Sequence, residues 1–268
     1  TTNIPASSKV YYLGTNHRNA TPETDTTPRV TTHTVNLSNL RACARYRFVA
    51  ASQAVTGPEV RSASSQFTTS GCLGNAAILQ SVEQDFTATT TNALTLTQQN
   101  QNRSLTLTLP LGVLTQDATL QIHHLATGTI PSSAPLPSAN YRIAGNHAYE
   151  LVALANPSTT LTSFPVAITI TLAYDSQDIQ GLDITTLKLY HWTGSQWSVA
   201  QNCTVNQTIR TLTCTTTTFS PFVLMATPDA GPPSQSSNLS ASGITQTSAN
   251  LSWTAPGDNG SQGTAASY

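Results

Sequence analysis

The sequence predicts an all-β protein built as tandem β-sandwiches. Three features of the 268 residues carry this reading: period-two alternation is widespread, helical periodicity is nearly absent, and Gly, Pro, Asn and Asp separate short runs. Leu105, Leu107 and Leu109 alternate with Ser104, Thr106 and Thr108. Val166, Ile168, Ile170, Leu172 and Tyr174 alternate with Ala167, Thr169, Thr171 and Ala173. Each run has an apolar face and a hydroxyl-bearing face, which suits a sheet with one side in a core and one in water. Further strands are expected at residues 10–13, 34–37, 46–50, 94–97, 120–122, 187–192, 222–225 and 249–253. Many short strands between turn residues indicate sandwiches.

Charge is scarce. There are 11 Lys+Arg against 12 Asp+Glu, and charged residues make up 9% of the chain. Thr and Ser must wet the surface instead, and β-branched Thr suits a pleated, half-exposed face. Nucleic acid is excluded as a partner, because phosphate neutralisation needs clustered Lys and Arg. The lysines are Lys9 and Lys188 alone. No apolar run is long enough to span a bilayer and no charged-then-apolar leader is present, so membrane insertion is not expected and any targeting signal would lie outside the chain.

Cys203 and Cys214 flank a strand–turn–strand pattern, and residues symmetric about a hairpin turn face each other. A cross-strand disulfide is expected there, with Cys43 and Cys72 as the second pair; the alternative is four buried thiols in a reducing compartment. An even count in a β protein favours disulfides and secretion. No CxxC occurs, so a structural zinc site is not expected.

Boundaries fall near Ser70-Gly71-Cys72 and in the Pro-rich stretch 227–234, giving segments 1–72, 73–226 and 227–268. The first resembles the later part of a fibronectin type III domain. The resemblance rests on residues 33–50, on Gly57-Pro58-Glu59-Val60-Arg61-Ser62 and on Phe67-Thr68-Thr69. It implies an immunoglobulin-like sandwich lacking strands A and B, with Tyr46 in a tyrosine corner. It also places Cys43 at the entry of strand F and Cys72 after strand G, at the same pole, which supports their pairing. The last segment resembles the beginning of the same domain, strands A and B, through Asn238-Leu239-Ser240-Ala241 and residues 244–253, with Trp253 as the core Trp and residues 254–260 as the B–C loop. The middle segment resembles the ZU5-like sandwich of bacterial surface proteins through residues 105–114, 168–174 and 183–192, Trp197, and Thr218-Phe219-Ser220-Pro221-Phe222. Some relatives cleave their own backbone at His-Phe-Ser. Thr218 stands at the His position here, so the base is missing and self-cleavage is not expected.

The two incomplete units imply either a piece of a longer protein or a subunit completed head-to-tail. In the second case Asn238, Leu239, Ala249, Leu251 and Trp253 of one copy would add to the first sheet of the next. Tyr190, Trp192 and Trp197 read as core, with a carbohydrate platform as the alternative. Asp175, Asp178 and Asp183 are a weak calcium candidate whose spacing is not an EF-hand. His123 and His124 are adjacent strand residues that face opposite sides, so with His147 they do not read as a metal site. No glycine-rich phosphate loop, nucleophile elbow or paired-carboxylate constellation is present, so neither a cofactor nor catalysis is expected. Sequons at Asn36, Asn202, Asn206, Asn238 and Asn250 arise readily by chance in a Thr/Ser-rich chain. The expectation is a structural or adhesive segment of a bacterial extracellular or cell-surface protein, partnered by adjoining domains or copies of itself. The alternative is a glycan- or protein-binding accessory module of a secreted enzyme.

Overall fold

The computed structural model describes residues 1–98, 102–156, 159–229, 231, 235–236 and 238–254. The chain is nearly all β. Strands β1 (Lys9–Tyr12), β2 (Asn19–Ala20), β3 (Arg45–Ser52), β4 (Val60–Arg61) and β5 (Ser65–Thr68) form an antiparallel sheet ordered β2-β1-β3-β4, with β5 also paired to β3. Its inner face carries Val10, Tyr12, Tyr46 and Phe48, and the Phe67 ring lies 5.5 Å from that of Tyr46. The Tyr46 hydroxyl accepts a hydrogen bond from the Arg41 N–H at 2.9 Å, which ties the crossing loop to the sheet.

Two sheets sandwich the main core. The first strands are β6 (Ile78–Phe86), β7 (Asn92–Thr97), β8 (Ser104–Leu109) and β9 (Ala118–Leu125). A short α1 (Ile130–Ser133) precedes β10 (Arg142–Asn156), β11 (Thr159–Thr160) and β12 (Ser163–Ala173). Then come β13 (Lys188–Trp192), β14 (Trp197–Val199), β15 (Gln201–Asn206), β16 (Thr211–Thr218) and β17 (Pro221–Ala226). One sheet runs β14-β13-β17-β10-β9-β6 with β11 on β10; the other runs β15-β16-β12-β8-β7. Alternation does what the sequence asks. Leu105, Leu107 and Leu109 are fully buried with Ile168, Ile170 and Leu172, while their Thr neighbours turn outward and Thr95 hydrogen-bonds Thr106 at 2.9 Å. Each such leucine contributes roughly 1.5–3 kcal/mol by leaving water.

Both disulfides are present. Cys43–Cys72 closes a separation of 29 residues and Cys203–Cys214 one of 11. Loop-closure entropy assigns them roughly 3.5 and 3 kcal/mol. The β15–β16 register shifts between Gln201 and Thr204, so Asn202 and Cys203 together face Cys214. Asn202 takes the left-handed backbone this bulge needs (φ 49°).

Two expectations need correction, and one strand lacks a sequence signal. Residues 34–37 form no strand: residues 32–40 are irregular, with Asn39 in left-handed backbone (φ 58°), pack Val35, Leu37 and Leu40 half-buried against the first sheet's cluster, and make no backbone–backbone hydrogen bond among the described residues. Val166 is exposed, because the β12–β16 register shifts between Ser163 and Ile168. The longest strand, β10, was not anticipated. Residues 147–155 are all buried, so no polar alternation marks them. Parts of the 227–234 linker (Ala230, Pro232, Pro233 and Ser234) and the B–C-like loop from Ala255 onward lie outside the described residues. Residues 227–229 hydrogen-bond back to Gly181 and Asp183 of the sandwich.

Leu107→Ala opens a cavity between two fixed sheets. The expected loss is about 2–5 kcal/mol, measured as a lower midpoint in urea unfolding with an unchanged slope.

Candidate functional site

The most elaborated site is the junction where the first sheet meets the sandwich. Every residue of β9 is buried. Ala118, Leu120 and Ile122 enter the core, while Thr119, Gln121 and His123 face the first sheet. Asp85, on the edge strand β6, is the centre. Its Oδ2 accepts from the Thr15 N–H (2.9 Å), the Thr15 hydroxyl (2.6 Å) and the Asn16 N–H (3.3 Å); its Oδ1 accepts from the Thr119 hydroxyl (2.6 Å). Arg18 lies 3.9 Å from Asp85 and donates to Thr119 Oγ1 (2.7 Å) and the Leu154 carbonyl (3.0 Å). Burial works against the Asp85 charge, yet the Thr119 and Thr15 hydroxyls and Arg18 hold its carboxyl below the usual range. Gly14 (φ +68°) makes this approach possible, since a Cβ there would overlap the carboxylate.

Further contacts fix the register. The Gln121 amide brackets the Arg45 backbone, accepting from its N–H (2.8 Å) and donating to its carbonyl (2.6 Å), as a strand would. Arg47 pairs with Glu83, and Arg41 pairs with buried Glu150 at 2.9 Å. Burial lifts Glu150 to about 7 against the pull of Arg41. His123 sits between Ser81 (2.7 Å) and the Gln121 oxygen (3.0 Å), and burial lowers it to about 4, which keeps it neutral. Val152 and Leu154 of β10 extend the apolar cluster of the first sheet into the sandwich. The Cys43–Cys72 bridge packs with Leu125 and Ile130 on the sheet's outer side.

A second polar chain runs inside the sandwich. Gln98 donates to the Tyr149 hydroxyl (3.0 Å), which meets His147 Nδ1 (3.0 Å); His147 Nε2 meets Asp178 (2.8 Å), and Arg103 Nε donates to the same carboxylate (2.7 Å). Burial opposes the Asp178 charge, but His147 and Arg103 hold it down to about 2. Gly145 (φ +56°), at the irregularity in β10–β17 pairing, leaves the room that this carboxylate fills. His124 borders the same chain: its Nε2 lies 3.2 Å from Gln98 Nε2 and donates to the Asn146 carbonyl at 2.6 Å, and its ring is 5.5 Å from that of Tyr149.

The three Asp of the weak calcium candidate each have another partner. Asp178 is taken by Arg103 and His147, Asp175 caps the turn Ser176–Ile179 through the Gln177 N–H, and Asp183 caps Ile184–Thr186 through the Thr185 N–H. Among the described residues no three His, Cys, Asp or Glu side chains converge as a metal site. The aromatic trio does not form an open platform. Tyr190 and Trp197 are buried, Trp197 donates to the Ala134 carbonyl (3.1 Å), and its ring meets that of half-buried Trp192 at 5.3 Å. At the Thr218-Phe219-Ser220 turn, Phe219 packs on Phe164 (4.6 Å) and the Ser220 hydroxyl donates to the Pro221 carbonyl (3.4 Å).

The complementation segment forms a hairpin, β18 (Ser240–Ser242) and β19 (Asn250–Ser252), paired with no other strand among the described residues. Asn238 caps it, accepting from the Thr254 N–H at 2.9 Å. Ala241 pairs with Leu251, so Leu239, Ala241, Ala249, Leu251 and Trp253 share one face; Leu239 is 65% exposed, Leu251 60% and Trp253 47%.

Gly14→Ala should cost on the order of 2 kcal/mol through left-handed strain and displacement of Asp85. Calorimetry is expected to resolve two transitions in the variant and one in the parent. Asp178 gives a pH signature. Its folded value lies below the unfolded one, so its stabilisation, on the order of 2 kcal/mol, is present above about pH 4 and is lost as pH falls toward 2. Asp178→Asn should flatten this acid limb in denaturant midpoints measured from pH 2 to 5. No protein-family model matches the chain, and no curated protein matches it in sequence.

Proposed function

We propose that the chain is a structural segment of an extracellular or cell-surface protein, a stiff spacer that holds fibronectin-like and ZU5-like units in fixed orientation and presents them for adhesion. The observation that carries this reading is the junction. A free swivel would need none of it, whereas here the first sheet is held by the Asp85 cage and the Arg41–Glu150 and Arg47–Glu83 pairs, and its Cys43–Cys72 bridge packs against Leu125 and Ile130 of the sandwich segment. Inter-domain motion is the default unless an interface is large and well made. Pairing of all four cysteines supports an oxidising compartment. No described helix is long and apolar enough to cross a membrane.

Pulling single molecules from both ends tests the spacer role. A resolved unfolding event is expected, and reduction should lengthen the released chain by about 100 Å for the 29-residue separation closed by Cys43–Cys72. A chain that extends smoothly, with no event that resists force, would sink the reading.

A further inference from the structure

The hairpin and a cleft on the first sheet are complementary, and we propose that the β18–β19 hairpin of one copy seats in the cleft of a second copy, so that copies join head-to-tail. The inference deepens the spacer reading and rests on it. A two-stranded hairpin is marginal alone in water. This one turns Leu239 and Leu251 outward, and residues 238–254 contain no Asp, Glu, Lys or Arg. Exposed strands are normally guarded by such charges or by Pro, and here neither is present.

The cleft holds about 450 Å³ and is lined by Ser8, Val10, Val35, Ala50, Ser52 and Val60 among others. Val60 is 68% exposed. Lys9 and Arg61 border it, but strand alternation sends their side chains to the opposite face, where both stack on the Tyr11 ring, 4.7 and 3.8 Å from its centre. The hairpin surface is thus apolar and hydroxyl-bearing, and the cleft matches it apart from the His33 ring, which is held by the Ser8 hydroxyl at 2.8 Å. His33 and Val35 form part of one wall, and the backbone groups of their segment, residues 32–40, have no backbone partners among the described residues. A strand laid beside it would gain a ladder of hydrogen bonds while its apolar face covers Val10, Ala50 and Val60. Within one copy Leu239 and Leu251 stay exposed and, among the described residues, nothing fills the cleft. Two different patches then meet, and such a contact propagates rather than closing on a two-fold axis.

Sedimentation velocity of the full chain over a concentration series tests this. A ladder of oligomers is expected, nearly unchanged between low and high salt. Leu251→Asp and Ala50→Asp, both at exposed positions, should each weaken association about tenfold to hundredfold. The decisive arm mixes the two variants. One keeps its cleft and the other its hairpin, so the mixture should give a 1:1 dimer and nothing longer. The proposal is overturned by a wild-type chain that stays monomeric, by oligomers that survive both substitutions, or by hairpin amides protected from exchange in a monomer, which would place the hairpin in its own cleft. A monomer that still resists pulling leaves the spacer reading standing.

Discussion

The structure depends on one half-buried carboxylate. Asp85 gathers Thr15, Asn16, Arg18 and Thr119 from two sheets into one hydrogen-bonded knot. Burying a charge is costly unless it is paired and hydrogen-bonded, and then removal of any partner is felt by the rest. That coupling makes the first sheet part of the sandwich. It also explains why β9 and β10 are buried on both faces although they belong to an antiparallel sheet, whose second face is commonly left to water.

The legible parts of the fold are those with one wet face. β7, β8, β12 and β16 alternate Leu or Ile with Thr because the outer face meets solvent, and the sequence shows them directly. β10 lost that signal because its two sides pack into different clusters, with Tyr149, Leu151 and Ala153 on one and Val152 and Leu154 on the other. The hairpin disulfide was readable from turn symmetry, although the bulge that seats Cys203 was not.

The candidate sites divide along the same line. Hairpin amphipathicity is local and visible. The Asp85 knot joins residues about 70 positions apart, and no local pattern announces it. Gly14 was the one available clue, a glycine after the strand Lys9–Tyr12, but turns use glycine for many reasons. The acidic residues 175–183 looked like ligands in one dimension because turn capping and cation binding draw on the same oxygen-bearing residues.

The outer face of the five-stranded sheet bears on solubility. Its rows of Thr present hydroxyls and methyls in place of paired charges, as the Thr169 position shows between Thr108 and Thr215. Hydroxyls hold water without counter-ions and do not titrate near neutrality. Hydration of this face is therefore indifferent to the acidity and salinity of the surroundings.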